Sequence, residues 1–382
     1  MTRTAEADGV REALVEVAHD FAAREMRPRA AEFEESAEFP AEIVAKAAEV
    51  GLTSYDLPEE YGGAGIEDLE AAVLIGEELA WGDSGIANCI ASGGFFAGPV
   101  VAMGTPEQKQ RWLPPVCAHK PTIGALALSE PESGSDASAL RTHAKKVDGG
   151  YVLNGQKTWV SGGPVSDLFV IYATVAPGTR SKGITAFVVE RGDEGMTISD
   201  ALPTMGTRCY PVGELFFDDC FVPDDRRIGD EGQGFRGVLR WFDRTRVQLA
   251  GNALGIGRAA LEYAVEYAKE REVFGQAIHN YQAVSFRLVD AKIKLDQARL
   301  MTHHAARLAD EGKPFTTEAS MAKVAASEAA WDTTVAAVHT LGGYGYSREY
   351  PVERWMRAAK LEEIYEGTND IQRLVIARGM FA

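Results

Sequence analysis

The sequence predicts an α+β fold in three parts: an N-terminal helical domain, a middle antiparallel β-barrel or sandwich domain, and a C-terminal four-helix bundle. Three observations predict this architecture. Apolar residues recur at helical spacing to about residue 120, short strand-like runs divided by hairpin-turn sequences follow, and long helical patterns return from Gly232 onward. We therefore place the domains at residues 1–121, 122–230 and 231–382.

Two helix starts mark the first domain. The run from Asp68 to Trp81 is predicted to be a helix that is apolar on one face. Thr105 and Pro106 have the residue types of an N-cap and a first helical position, so they predict the start of a further helix. No catalytic constellation is visible in this domain, which predicts a structural role for most of it.

The middle domain is predicted from its turns. Asp148-Gly149-Gly150 and Asn154-Gly155 read as hairpin turns, because Gly and Asn accept positive φ angles. Strand-like runs occupy residues 151–153, 168–174, 184–189 and 214–217, and the domain ends near Ile228. Long crossover helices are missing from this pattern, which argues against a Rossmann unit.

The third domain reads as long helices with short connections, which favours an antiparallel bundle. Its first helix contains the run Gly251-Asn-Ala-Leu-Gly255-Ile-Gly257. This spacing differs from the dinucleotide fingerprint, and the run does not follow a strand, so a nicotinamide-dependent dehydrogenase is disfavoured. We expect these glycines to allow close packing between helices instead.

Composition narrows the class of protein. The 382 residues carry 39 basic and 56 acidic side chains, a formal charge of −17, which argues against a general nucleic-acid binder. A phosphate-bearing ligand would need a local basic cluster. The four cysteines show no metal-ligand spacing, so we predict neither a metal nor a disulfide. The first ten residues lack an apolar signal core and no apolar run reaches about 18 residues, which predicts a cytoplasmic protein without a membrane span.

Glu366 lies in the stretch that stands out most, close to the C-terminus. A helical run from Pro351 to about residue 364 stops there, Gly367 suits a backbone that a helix disfavours, and Thr368 is a good N-cap for the next helix. A carboxylate at such a break can project into a cleft. The stretch alone favours the simpler interpretation, an exposed glutamate in a linker.

Five motifs give Glu366 a context. In chain order they are Ser129-Glu130-Pro131-x-x-Gly134-Ser135-Asp136, Lys157-Thr158-Trp159-x-Ser161, Arg271-Glu272-Val273-Phe274-Gly275, Leu341-Gly342-Gly343-x-Gly345 and Tyr365-Glu366-Gly367-Thr368. With these motifs the chain resembles the acyl-CoA dehydrogenase family over almost its full length. Members of that family are FAD-dependent enzymes that desaturate acyl thioesters between Cα and Cβ.

The resemblance implies that Glu366 is the catalytic base. A free glutamate is a weak base for such a proton, so the carboxylate must be desolvated and the thioester carbonyl polarised by hydrogen-bond donors. The family implies that the backbone N–H of Glu366 and a flavin hydroxyl supply those donors. Some members place the base one residue before the Arg of an Asp-x-x-Arg motif, but that position is Thr245 here and cannot serve.

The resemblance also implies the cofactor and substrate contacts. Residues expected to contact FAD within one subunit are Leu126, Leu128, Ser129, Gly134, Ser135, Trp159, Ser161, Thr368 and Asp370. Residues expected to reach the flavin of a neighbouring subunit are Arg271, Phe274, Gln282, His339, Gly342 and Gly343. Residues expected on the substrate side are Ser135, Asp243, Arg246, Tyr365 and Gly367.

Several of these residues have simpler interpretations. Arg271 could be a helix-end arginine near the negative pole of the helix dipole, and Asp243 with Arg246 could be an intrahelical ion pair. The chain also departs from the family's usual pattern, with His339 in place of Gln or Glu and Ala358 in place of Asp.

The resemblance predicts an acyl-CoA substrate, an electron-transferring flavoprotein as acceptor and a homotetramer. Two alternatives stay open: an enzyme of the same fold that uses oxygen or a carrier-tethered acyl group, and a flavin-free binding or scaffold protein. The length and branching of the acyl chain do not follow from the sequence, although the pocket floor is expected around residues 87–96.

Overall fold

The computed structural model describes residues 5–381, so residues 1–4 and 382 of the predicted domain limits lie outside it. The first part is helical. Thr105 is the N-cap that the sequence predicted, and it forms a capping box with Gln108. Asp68, predicted as the first residue of a helix, is instead the N-cap of the helix Leu69–Gly82, where it accepts bonds from two backbone N–H groups. The helices are α1 (Ala5–Phe21), α2 (Ala30–Ser36), α3 (Ala41–Glu49), α4 (Leu69–Gly82), α5 (Ser84–Ile90), α6 (Ser92–Met103) and α7 (Pro106–Val116).

The middle part is one eight-stranded sheet in the order β6-β7-β3-β2-β4-β5-β8, with β1 paired to β4. The predicted fold class is confirmed, with one difference: β1 pairs β4 in parallel, and β2 meets β4 in parallel at His143 and Thr174, so the sheet is mixed. The strands are β1 (Gly124–Ala127), β2 (His143–Val147), β3 (Gly150–Ser161), β4 (Leu168–Thr174), β5 (Ile184–Glu190), β6 (Met196–Ile198), β7 (Val212–Pro223) and β8 (Arg227–Ile228).

The predicted hairpin turn at Asn154-Gly155 is wrong. Both residues lie inside β3, where the pairing with β7 shifts register between Leu153 and Gly155. Gly155 has φ +143° and packs so closely on Thr142 that an added Cβ would come 2.6 Å from its Oγ1 atom. The residue pair therefore builds a β-bulge, which uses the same glycine freedom as a turn. The turn at Asp148-Gly149-Gly150 does connect β2 to β3.

The last part is a helical bundle around α8, which packs on α4 as well as on its bundle partners. An added Cβ at Gly255 would lie 2.2 Å from the Glu77 carbonyl oxygen on α4, so this glycine does permit close helix packing. The elements are α8 (Gly234–Glu270), β9 (Glu272–Val273), β10 (Gln276–Ala277), α9 (Gln282–Asp310), α10 (Thr316–Leu341), α11 (Val352–Glu362) and α12 (Asn369–Met380).

Within residues 5–381, no single helix is long and apolar enough to cross a membrane. The adjoining helices α5 and α6 pass that test of length and composition only together, with a bend of 41° between them. Every residue of α5 is buried inside the protein.

Candidate active site

Glu366 lies in the six-residue break between Glu362, which ends α11, and Asn369, which begins α12. Thr368 caps α12 by accepting a bond from a backbone N–H, as predicted. Glu366 itself has φ +53° and Gly367 has φ +95°. A left-handed backbone disfavours a residue with a Cβ by roughly 1–2 kcal/mol, so surrounding contacts must hold Glu366 in place.

Two side chains supply those contacts through backbone carbonyl groups. The Gln372 amide donates to the carbonyl oxygens of Gly367 at 3.0 Å and Glu366 at 3.3 Å, and Ser320 on α10 donates to the same amide at 3.0 Å. Arg246 on α8 also donates to the Glu366 carbonyl, at 3.3 Å. Three helices therefore fix the conformation of the break.

The carboxyl group of Glu366 has one occupied and one free oxygen. Thr245 on α8 donates a hydrogen bond to Oε2, while Oε1 is buried and has no partner among the described residues. Burial raises the pKa of Glu366 to about 7, against the opposing effects of Thr245, Arg246 and Lys323. Such a carboxylate can accept a proton near neutral pH through its free oxygen.

A basic cleft lies beside the Glu366 segment, because Arg246, which donates to the Glu366 backbone carbonyl, also lines the cleft. It has a volume of about 570 Å³ and carries four basic side chains against Asp243, an excess of three positive charges: Lys182, Arg236, Arg240 and Arg246. Arg246 pairs with Asp243 at 2.9 Å, so the predicted intrahelical ion pair exists and also lines the cleft. In an acidic protein, this local excess can bind a phosphate-bearing ligand.

The two upstream motifs are held together by a buried ion pair. Lys157 on β3 lies 2.7 Å from Glu130 and also donates to the Leu128 carbonyl at 3.1 Å. Burial lowers the pKa of Lys157 to about 8, against Glu130 beside it, which raises it. The Thr158 N–H donates to the Ser129 carbonyl at 3.0 Å. Ser129 and the Trp159 segment, both predicted to contact flavin, are therefore neighbours.

Trp159 presents a surface that a flat ring system would cover. It has φ +57° at a register shift between β3 and β7, and its side chain is 64% exposed. A solvent-facing indole of this kind is costly in isolation, and Leu128 and Ser161 lie in the two segments beside it. These residues fit an isoalloxazine ring. Leu126 is half-buried on β1, whereas Gly134 and Ser135 are exposed in the loop before β2.

The residues predicted to reach the flavin of a neighbouring subunit lie around a second cavity of about 680 Å³. Arg271, Phe274, Gly342 and Gly343 line it, with Gln282 and His339 adjacent in sequence to lining residues. Among the residues the structure describes, none from the Leu126–Ser135 or Trp159–Ser161 segments lines this cavity. One chain therefore does not bring the two predicted groups of flavin contacts together.

Sequence reasoning missed several residues around Glu366. Thr245 was considered only as a base and excluded, although its hydroxyl bonds to Glu366. The residues that were not singled out are Gln372, Lys323 and, in the cleft, Lys182, Arg236 and Arg240. Glu362, four positions before Glu366, has helical spacing that could have drawn attention to it. Lys323 gave no signal, because a lysine in a helix is usually exposed. Ala358, the second departure from the family pattern, is buried.

Three family models match the chain in order. They are described as Acyl-CoA dehydrogenase, N-terminal domain (residues 10–120), middle domain (125–220) and C-terminal domain (232–381). Together they cover most of the sequence, and the chain belongs to the acyl-CoA dehydrogenase family.

Curated relatives cover nearly the whole chain. The mitochondrial short-chain specific acyl-CoA dehydrogenase of Rattus norvegicus is 39% identical over 366 residues, which span 95% of this chain and 88% of the relative. The short-chain specific acyl-CoA dehydrogenase of Megasphaera elsdenii is 38% identical over 370 residues, or 96% of both chains. The predicted enzyme class, an acyl-CoA dehydrogenase oxidoreductase, is confirmed.

The solved structures that are similar to this chain include members of the same family. Butyryl-CoA dehydrogenase from Megasphaera elsdenii has a TM-score of 0.94 at 37% identity and covers 100% of each chain. A chain from a study of the electron transferring flavoprotein of Acidaminococcus fermentans has the same TM-score and identity, covering 100% of this chain and 99% of that one. The prolyl acyl carrier protein oxidase AnaB has a TM-score of 0.92 at 30% identity, with 100% of each chain covered.

The cofactor prediction is confirmed for the family: its members are flavoproteins, and a further matched structure is described as PigA with FAD and proline. The residues that would hold FAD in this chain stay predictions.

Proposed function

We propose that this protein catalyses the FAD-dependent α,β-dehydrogenation of a short-chain acyl-CoA thioester, with Glu366 as the base. One observation carries the proposal: the carboxyl group of Glu366 is desolvated, is held at a helix break, and keeps one oxygen free of hydrogen bonds among the described residues. These are the features that proton abstraction requires of a carboxylate.

The reaction divides between the chain and its cofactor. The α C–H bond breaks and its proton passes to Oε1 of Glu366, while Thr245 holds Oε2 and thereby fixes the orientation of the carboxylate. Bound FAD supplies the two-electron acceptor for the hydride that leaves Cβ as the double bond forms. Leu126, Leu128, Ser129, Gly134, Ser135, Trp159, Ser161, Thr368 and Asp370 are the residues of the same chain that we propose to hold it.

The CoA group belongs in the basic cleft. Lys182, Arg236 and Arg240 would neutralise its phosphates, and Arg246 connects the cleft to Glu366 through the 3.3 Å bond to the Glu366 carbonyl. Asp243, Ser135, Tyr365 and Gly367 are the further proposed substrate contacts. The free thioester would thus enter with its acyl end toward the base.

Two aromatic rings support a short acyl chain. Phe95 packs edge-on against Trp241, with 5.8 Å between the ring centroids, and Trp241 lies one helical turn before Thr245 on α8. Bulky side chains this close to the base leave less room for a long chain. The names of the short-chain relatives and of the butyryl-CoA dehydrogenase support the same substrate class.

A second candidate function differs in its electron acceptor and in the group that carries the acyl chain. An electron-transferring flavoprotein is supported by the match from the Acidaminococcus fermentans study. The match to a prolyl acyl carrier protein oxidase favours instead a carrier-tethered substrate and oxygen. Identity of 37% to the butyryl-CoA enzyme against 30% to the oxidase places the first candidate ahead. A cytoplasmic location stays a prediction from the sequence.

We further propose a homotetramer in which Arg271, Phe274, Gln282, His339, Gly342 and Gly343 complete the flavin site of a neighbouring subunit. Phe274 is 93% exposed at the rim of the second cavity. Large apolar residues also stand exposed at helical spacing along one side of α9: Phe286, Val289, Ile293 and Leu300. Leu300→Glu should lower the mass measured by light scattering, whereas Val50→Glu, on the exposed end of α3, should not.

The decisive experiment is anaerobic titration of the FAD holoenzyme with straight, branched and aromatic acyl-CoAs of increasing length. We expect short-chain acyl-CoA to bleach the flavin absorbance of the wild type. In Glu366→Gln, with FAD still bound, the rate of bleaching should fall by about 10²–10⁴-fold. Bleaching by an acyl carrier protein thioester alone would favour the second candidate. Equal bleaching in Glu366→Gln would refute the assigned base.

A further inference from the structure

A buried polar cluster lies directly behind the catalytic segment. We call it the Lys323 cluster: Lys323 and Ser327 from α10, Glu362 at the end of α11, and Asn369 at the start of α12. Lys323 donates to the Asn369 amide oxygen at 2.8 Å, and Asn369 donates to Ser327 at 3.0 Å. All four side chains are buried. The mechanism above assigns none of them a role.

Lys323 is a cation in an apolar wall. It is 1% exposed, and its inward-facing neighbours on α10 are uncharged: alanines together with Ser320 and Ser327. An ammonium ion in such a place is strongly destabilised unless negative charge compensates it. Its hydrogen bond goes to a neutral amide, so compensation comes from carboxyl groups nearby. Burial lowers the pKa of Lys323 to about 8, and Glu362 and Glu366 oppose that effect.

Glu362 is one of those two carboxyl groups. It is 1% exposed; Oε2 accepts a bond from the Tyr365 hydroxyl at 2.9 Å, while Oε1 is buried with no partner in the described part of the chain. A carboxylate oxygen without a donor is poorly stabilised, whereas a protonated carboxyl is neutral. Burial raises the pKa of Glu362 to about 8, Tyr365 and Lys323 lower it, and Glu366 raises it.

We propose that Glu362 and Lys323 are positioning residues for the base: Glu362 keeps a proton, so that the charge of Lys323 compensates the carboxylate of Glu366 alone. The inference rests on the proposed role of Glu366. One cation serves two carboxyl groups, and the more deeply buried of the two stays neutral. When Glu366 accepts the α-proton, one O–H bond forms there and the protons on Glu362 and Lys323 do not move.

The other charged and titratable groups around the cluster are already engaged. Arg246 of α8 faces both Glu366 and Lys323 and is paired with Asp243. Glu363, beside Glu362, is paired with Lys360 on the same helix. The Tyr365 hydroxyl donates to Glu362, which leaves Lys323 as the unpaired cation that both carboxyl groups share.

Difference infrared spectroscopy of the FAD holoenzyme tests this directly, because the carbonyl stretch of a protonated carboxyl disappears on ionisation. Titrated from about pH 5 to about pH 10, the wild type should show two buried carboxyl bands that ionise separately. Glu366→Gln should remove the band that ionises first, and Glu362→Gln the one that ionises second. A Glu362 already ionised at neutral pH would overturn the inference, and this measurement needs no substrate.

Lys323→Met gives the second test. Without the cation, the Glu366 band should ionise at least about one pH unit higher, and turnover near pH 6 should fall about tenfold relative to wild type, with recovery at high pH. Lys360→Met removes a lysine of the same region that pairs with Glu363, and it should leave unchanged the pH at which Glu366 ionises. A merely structural role would lower turnover equally at every pH and would contradict the inference.

The two proposals can fail separately. A wild type that no acyl thioester bleaches would refute the proposed function. If the wild type bleaches through Glu366 while Lys323→Met leaves its ionisation unchanged, only the role of the Lys323 cluster is refuted. If Lys323→Met does not fold, the Glu362→Gln titration still decides which carboxyl holds the proton.

Discussion

The hydroxyl group of Thr245 donates a hydrogen bond to Oε2 of Glu366, across 121 residues of sequence. The two positions at which members of the family place their base therefore meet in one site. Here the threonine cannot remove a proton, but its bond orients the carboxylate that we propose as the base, and it stabilises the charged form of that carboxylate.

Replacing Thr245 should move the pH dependence of the reaction. Thr245→Val removes the donor, so we expect the pKa of Glu366 to rise and the acid limb of the kcat profile to move upward by about 0.5–1 pH unit. Thr245→Ser keeps the hydroxyl and should stay close to wild type. An unchanged acid limb in Thr245→Val would show that this bond does not act on the base.

The cleft arginines should affect substrate binding more than chemistry. Arg240→Ala removes one positive charge from the cleft that we propose for the CoA phosphates, so KM for an acyl-CoA should rise by about tenfold at low salt with kcat nearly unchanged. The difference should shrink in high salt, and an acyl-pantetheine without these phosphates should not distinguish the variant from wild type. Lys120→Ala, in an exposed turn outside the cleft, is the matched control.

The buried pair of Lys157 and Glu130 should couple stability to cofactor retention. Either Lys157→Met or Glu130→Gln leaves one buried group without its partner and should lower the free energy of unfolding by about 3–5 kcal/mol. Urea denaturation and the fraction of FAD retained on gel filtration measure both effects. The double variant should be more stable than either single variant, and additive losses would show that the pair is not coupled.

Glu362 should make stability fall as pH rises. The fold holds its pKa at about 8, above the unfolded value of about 4.3, so the stabilising contribution of the protonated acid is complete below the lower value and disappears as pH rises through the upper one. The stability of Glu362→Gln should therefore gain on that of the wild type as pH rises between these limits, by on the order of 5 kcal/mol in all by about pH 9.

Denaturant unfolding at several pH values measures this gain. Glu49→Gln, at the exposed end of α3, should show a difference from wild type that hardly changes with pH. A difference between wild type and Glu362→Gln that stays constant from about pH 5 to about pH 9 would indicate that Glu362 is already ionised in the fold at neutral pH, and would contradict the prediction.

The sequence by itself determined the local features of this protein. The Thr105 and Thr368 caps, the helix break around Glu366 and the packing role of Gly255 were predicted and are present. Each depends on a residue and its near neighbours in the chain, and hydrogen bonding within one turn or a required φ angle is readable from such a window.

The tertiary structure alone decided how these segments meet. It turned Asn154-Gly155 into a bulge, because a glycine with positive φ serves a turn and a tight contact equally well, and the contact was with Thr142. It also brought Thr245 and Lys323 to Glu366, and Lys157 to Glu130. Periodicity shows which side of a helix is apolar but not which distant side chain lies against it. The basicity of Glu366 is set by burial, by the Thr245 hydroxyl and by the charges of Arg246 on α8 and Lys323 on α10, and these surroundings exist only in the folded chain.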